Sequence, residues 1–187
     1  DILHALHEVW SPGTCELYFE ERPLGVTATL ARNAGEMSTG SWIVANTDMV
    51  MPELDIEGLL ESHLRTGASW TALTGELPEG AGYSPLEVDE EMSFGAGGKD
   101  LTHYMGVSIM EPSIFRAAAE TQASEGLFTG FARRLRRSGE KLMTCQKTGP
   151  WLDMGRLDLL RENILSAGSF IHPSACVSSD AVLEGSW

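Results

Sequence analysis

The chain has 187 residues, 42% hydrophobic and 21% charged, the balance of a soluble globular protein with room for one domain and an appendage. Its 13 basic against 27 acidic residues leave a net charge of −14. That argues against nucleic acid and anionic membranes as partners, since both demand basic surface. It does not exclude a small phosphorylated substrate, because a bound cation can reverse the field within one cleft.

In chain order, residues 1–9 carry apolar positions at helical spacing (Ile2, Leu3, Leu6, Val9), so the chain opens in mid-pattern, as expected of a piece of a longer protein. ELYFE (16–20) is strand-like, LGVTATLARNA (24–34) helical, and WIVAN (42–46) a compact buried strand. Asp55 caps a helix, IEGLLESHLRTG, with Leu59, Leu60 and Leu64 on one face and Gly67 as its stop. ASWTALTG (68–75), PLEVD (85–89) and YMGVSIM (104–110) are strands, and Glu111-Pro112 opens the next helix. LFTGFARRLRRSG (127–139) is a helix ended by Gly139, KLMTCQ (141–146) a strand, and LDLLRENILSAG (157–168) a last helix. This alternation predicts a doubly wound α/β domain over 1–168 with a mostly parallel sheet.

The tail, FIHPSACVSSDAVLEGSW, repeats an aliphatic residue every six positions (Ile171, Val177, Leu183), with Ala175, Ala181 and Trp187 four residues after each. That period marks the start of a parallel β-helix over 169–187, cut off at Trp187, because so few coils cannot bury a core of their own. The scattered cysteines Cys15, Cys145 and Cys176 lack metal-ligand spacing and read as reduced thiols of a cytoplasmic protein. No apolar run approaches transmembrane length and no signal-peptide pattern opens the chain.

WIVAN runs into Thr47-Asp48. Ligands of open α/β sheets bind beyond the carboxyl ends of the strands, and Asp48 sits just past one. A magnesium ion there would take one or two carboxylates; a turn aspartate bonding nearby backbone N–H groups is the plainer meaning. Asp153, in WLDMG, is a second carboxylate in a similar setting, again open to both readings. Pro23-Leu24-Gly25 leads into a helix whose first N–H groups could meet a base or phosphate, or form a plain strand-to-helix turn.

Glu21-x-Pro-Leu-Gly before a helix, a strand ending in Asn-x-Asp, a late Trp-x-Asp-x-Gly, Glu162-Asn163 and hexapeptide repeats occur in that order. From about Leu3 to the end, the chain resembles the sugar nucleotidyltransferases, which include mannose-1-phosphate guanylyltransferases and glucose-1-phosphate thymidylyl- and uridylyltransferases. The resemblance implies a doubly wound α/β domain followed by a left-handed β-helix, through which copies of the full-length chain could assemble. It also implies attack of a sugar 1-phosphate on the α-phosphate of an NTP, giving NDP-sugar and pyrophosphate. By the same resemblance, Mg²⁺ would lie between Asp48 and Asp153 as catalytic residues, with Glu21, Pro23, Gly25 and Asp48 facing the nucleotide and Gly106 lining the sugar pocket. The family's N-terminal Gly-rich loop would precede Asp1. Tyr83-Ser84-Pro85 stands for Tyr-Gly-Val, and Phe94-Gly95-Ala96 for the Glu-Lys-Pro that meets the sugar phosphate, with Lys99 a distant substitute. These departures raise a second reading, a non-catalytic regulatory or scaffold homologue. The hexapeptide tail alone suggests an acyltransferase, for which His172 is a poor base.

Other features carry less. GAGGKD (95–100) fails both the dinucleotide and the P-loop patterns. His4 and His7 read as surface residues, and Arg133, Arg134, Arg136 and Arg137 as a solvated basic face.

Overall fold

A computed structural model describes residues 18, 20–51, 53–77, 83–95, 98–121, 125–147, 151–157, 159–160 and 178. The elements are α1 (Val26–Arg32), β1 (Trp42–Ala45), β2 (Met49–Val50), α2 (Ile56–Thr66), β3 (Trp70–Gly75), β4 (Leu86–Val88), β5 (Asp100–Met110) and α3 (Pro112–Ala119). A π-helical turn (Leu127–Phe131) then runs into α4 (Ala132–Arg137), followed by β6 (Leu142–Gln146) and β7 (Leu152–Asp153). The expected helix over 1–9 lies outside the described residues, as do the hexapeptide tail apart from Ser178, three of the five residues of ELYFE and most of the last helix.

β3 is buried along its whole length and is flanked by β5 and β6 in a sheet of order β1-β5-β3-β6, with β4 also on β5. Its side chains alternate between two cores. Trp70 and Ala72 join Phe94, Phe115, Phe131 and Leu135 under α1, α3 and α4, whereas Leu73 joins Leu59, Met105, Val107 and Ile109 under α2. Helices therefore cover both faces, as a doubly wound fold requires. The Trp70 ring meets Phe94 edge-on at 4.9 Å, and its Nε1–H donates to Ser108 Oγ at 2.9 Å, so the largest core ring is also polar-satisfied.

The sheet is mixed, not mostly parallel. β3 and β6 pair in parallel, but β1, β3 and β4 all pair antiparallel to β5. The strands other than β5 thus share one direction, and the reversed strand lies between β1 and β3. Among the described residues no helix separates β3 from β5, and without a crossover helix a returning strand pairs antiparallel. After β4, Asp89 Oδ1 accepts from the backbone N–H groups of Glu91 and Ser93, which turns the chain back.

Two further expectations change. β1 is half-buried, with Trp42 and Val44 on the core and Ile43 and Ala45 outward, because β5 is its only neighbour among the described residues. On α2 the cap and stop are as expected: Asp55 accepts from Gly58 N–H at 2.9 Å, and Gly67 turns left-handed at φ 62°. The buried face, however, is Leu59 and His63, while Leu60 is half-exposed and Leu64 is 64% exposed. The four arginines are tied down in part, Arg133 to Glu87, Arg134 to Glu125 and Arg136 to Asp89.

His63 turns inward because it has two partners. Glu111 can only accept, so His63 Nε2–H donates to it at 2.9 Å, while Nδ1 is in hydrogen-bond contact with Thr71 Oγ at 2.8 Å. Ser41 Oγ donates to the same Glu111 oxygen. This knot joins α2, β3, the entry of β1 and the N-cap of α3. Partial burial pushes the Glu111 pKa up, but the hydrogen bonds from Ser41 and His63 and the His63 charge outweigh it and hold the pKa low. A depressed carboxylate stabilises the fold above its unfolded value and loses that contribution as pH falls through the folded one. Glu111→Gln should therefore lower the urea midpoint most at pH 6–7, and the gap to the parent should close below roughly pH 4. A gap that stays constant with pH would contradict this account.

Candidate functional site

The site is built on a break in β5. Ala72 of β3 pairs with Ser108, but Thr74 pairs with Tyr104, so β5 bulges between them. Gly106 sits in the bulge at φ 84°, and a Cβ there would lie 2.8 Å from Met49 Cγ and 3.2 Å from Asn46 Cβ. Only glycine meets both demands. Its carbonyl accepts from Asn46 N–H at 2.8 Å, which seats the exit of β1 on the bulge.

From there the chain is clamped twice. Met154 N–H donates to the Asp48 carbonyl at 2.7 Å, and β2 pairs antiparallel with β7, with Met49 opposite Asp153. The two carboxylates meet over Gly155. A Cβ on that residue would lie 2.3 Å from Asp48 Oδ2 and 3.3 Å from Asp153 Oδ1, so both acids converge on one point that only glycine leaves to them. Asp153 is only 6% exposed; it accepts from Gly155 N–H at 2.8 Å and from Tyr83 Oη at 2.6 Å. Asp48 is exposed. One acid is fixed and the other faces outward.

Among the described residues no three His, Cys, Asp or Glu side chains form a cage for a metal. Two carboxylates suffice for magnesium, which keeps water and substrate phosphate in its remaining positions. The donor set, two carboxylates converging beside Gly155, fits such an ion.

Beside the acids, beyond the carboxyl ends of β3 and β6, is a cavity of about 300 Å³ lined by Glu76, His103, Met105, Gln146, Lys147 and Trp151. Tyr83, His103 and Trp151 touch one another, with ring centroids 4.3–5.5 Å apart. Burial lowers the His103 pKa, and the charge of Asp153 partly opposes this. A wider, more open hollow of about 690 Å³ lies at the amino end of β3, but its ionisable His63 and Glu111 are bonded to each other.

Asp48, Asp153 and Gly106 thus fall in one place. Glu21, Pro23 and Gly25 lie exposed at the entry to α1, and among the described residues no hydrogen bond or ion pair joins them to the aspartates. Gly25 takes φ 85°, and its carbonyl accepts from Ala28 and Thr29 N–H at 3.1 Å. The side chain that ties this turn is Glu20, which accepts from Leu24 N–H and Thr29 Oγ. His103 carries no readable signal as a site residue, since it lies in no spaced motif, and Tyr83 is marked in the sequence only by its place in Tyr83-Ser84-Pro85.

No family model and no curated protein matches the chain. Solved structures do. HddC from Yersinia pseudotuberculosis superposes with a TM-score of 0.61 at 15% identity, covering 87% of this chain and 72% of HddC. At this identity the likeness is one of fold alone. HddC complexed with GMP-PN gives 0.62 at 16% identity, covering 86% and 71%. A putative glucose-1-phosphate thymidylyltransferase from Bacillus anthracis, in complex with a sucrose, gives 0.59 at 12%, covering 76% of this chain and 61% of its own.

Gly106→Ala should destabilise the chain by about 1–3 kcal/mol in urea unfolding, from positive-φ strain and the overlap with Met49 and Asn46. A change within error would show that the bulge does not need glycine.

Proposed function

We propose that the protein to which this chain belongs transfers a nucleotidyl group from an NTP to a sugar 1-phosphate, with Mg²⁺ held between Asp48 and Asp153. The observation that carries this reading is the approach of both carboxylates to one point over Gly155. Support comes from the fold and from its likeness to a chain complexed with GMP-PN and to a putative glucose-1-phosphate thymidylyltransferase. When bound, the ion would neutralise phosphate charge and align the two reactants.

The chain's own residues do the rest. Tyr83 Oη and Gly155 N–H fix the Asp153 carboxylate in one rotamer, so it presents its lone pairs without reordering. Asp48, set on the Asn46–Met49 turn, approaches from the opposite strand, and Gly155 adds no side chain that would push it away. Gly106 lets the β1 exit lie close to β5 and so sets the floor beside the cavity. Glu21, Pro23 and Gly25 belong to this proposal as the nucleotide-side loop at the entry to α1. A β-helix beyond residue 168, assembly through it, and a cytoplasmic site of action belong to the same reading.

One observation favours a second reading, a regulatory or scaffold homologue. Phe94 stands where Glu-Lys-Pro is expected, and it is fully buried against Trp70 and Phe128. Gly95 is equally committed, since a Cβ there would lie 2.8 Å from the Ala132 carbonyl. This segment serves the core and offers no charge to a substrate.

Pyrophosphate release by the full-length parent, with each NTP, Mg²⁺ and a panel of sugar 1-phosphates, separates the two. Under the enzyme reading one pair releases pyrophosphate. Asp48→Ala, Asp153→Asn and Gly155→Ala should each then cut turnover by roughly 100-fold or more, the scale of a lost metal. No release from any pair selects the scaffold reading, and full activity in Asp48→Ala refutes the metal assignment.

A further inference from the structure

Asp153 has a hydrogen-bond donor on each of its oxygens, and the two donors come from different parts of the chain. Oδ1 accepts from Gly155 N–H at 2.8 Å, and this is the oxygen that lies on the side of Gly155 and Asp48. Oδ2 accepts from Tyr83 Oη at 2.6 Å, from a side chain 70 residues earlier. That length is typical of a hydroxyl bonded to a charged carboxylate, roughly twice as strong as a bond between neutral groups. The Tyr83 ring is held in turn. Its centroid lies 4.3 Å from that of His103 and 5.5 Å from that of Trp151, and the Arg156 guanidinium sits 5.9 Å over it. Asp48 is exposed and has no such pair of anchors among the described residues.

We infer that Tyr83 sets which divalent cation the paired aspartates accept, by holding Asp153 Oδ2 aside so that Oδ1 is the oxygen presented beside Asp48. The inference rests on the metal assignment in the reading above and adds a positioning residue that acts through Asp153. Divalent cations differ in how they use a carboxylate. Calcium is large, collects many oxygens and often grips one carboxylate by both of them. Magnesium is small and octahedral, takes one or two carboxylates, and fills its remaining positions with water and phosphate. To grip a cation with both oxygens, Asp153 would have to turn and give up the Tyr83 bond. It would do so at only 6% exposure, beside a packed cluster of rings. One oxygen can be lent with nothing moved. Charge does not discriminate here, since the two acids carry the same charge toward either ion. The site rejects calcium by its rigidity, and the phenol hydroxyl is the source of that rigidity on the Oδ2 side.

The test reads metal binding and not turnover. Mn²⁺ takes the same oxygen ligands, and its free ion is counted by its EPR signal. It is bound to the full-length parent and displaced with Mg²⁺ and, separately, with Ca²⁺. From the parent, Mg²⁺ should displace it at the lower concentration. Tyr83→Phe keeps the ring and removes the hydroxyl. It should shift the ratio of the two displacing concentrations toward Ca²⁺ by roughly tenfold, the scale of one hydrogen bond to a charged group. Placing 4-aminophenylalanine at the same position restores a donor and should return the ratio toward that of the parent. A residue that only steadied the site would weaken both ions alike, so an unchanged ratio in Tyr83→Phe overturns the inference, as does a parent that prefers Ca²⁺. Asp48→Ala and Asp153→Asn separate the inference from the reading beneath it. If both abolish Mn²⁺ binding while Tyr83→Phe leaves the ratio unchanged, only the role of Tyr83 falls. If the parent holds no Mn²⁺, or neither aspartate variant alters its binding, the metal assignment falls and the inference with it. Pyrophosphate release, measured separately, still decides the reaction.

Discussion

Everything at the candidate site depends on a ladder two residues long. Among the described residues β2 and β7 pair through Met49 with Asp153 and Val50 with Leu152 alone, yet that contact and the Met154 N–H to Asp48 carbonyl bond bring together two acids from distant parts of the chain. So short a ladder has little stability of its own. It persists because the β1 exit is seated on the Gly106 bulge, which takes the place of a longer sheet. The acids are therefore placed by backbone, and side-chain chemistry then distinguishes them: Tyr83 and Gly155 hold one, and solvent meets the other.

The two ends of the sheet are built for different purposes. At the amino end of β3, the His63–Glu111 knot satisfies its members through Thr71 and Ser41 and ties two helices to two strands. At the carboxyl end, among the described residues, the ring nitrogens of His103 and Trp151 are left without partners. A satisfied network rigidifies, and an unsatisfied one is stable only where something else can complete it.

What could be read in the sequence was local. Asp55 and Gly67 delimited α2, Pro112 opened α3 and Gly139 followed α4, because caps and left-handed stops depend on a few adjacent residues. The pairing of Asp48 with Asp153 came from a family resemblance, and their meeting over Gly155 is a tertiary fact that no spacing encodes. The inward face of α2 was misread because a buried histidine looks polar until its partners on β3 and before α3 are known. The sense of β5 was misread because strand-like composition carries no direction. β2 and β7 are too short for any periodicity to register.

The central place of β5 has a consequence for how the chain assembles as it leaves the ribosome. β1, β3 and β4 all emerge before the strand that pairs with each of them, so their edges wait unpaired until Met110 is free. Such long-range pairing is slow to nucleate, and in the interval Ile43 and Val44 present an open apolar edge. Among the described residues, a chain arrested short of β5 would hold these strands with none of their pairings made.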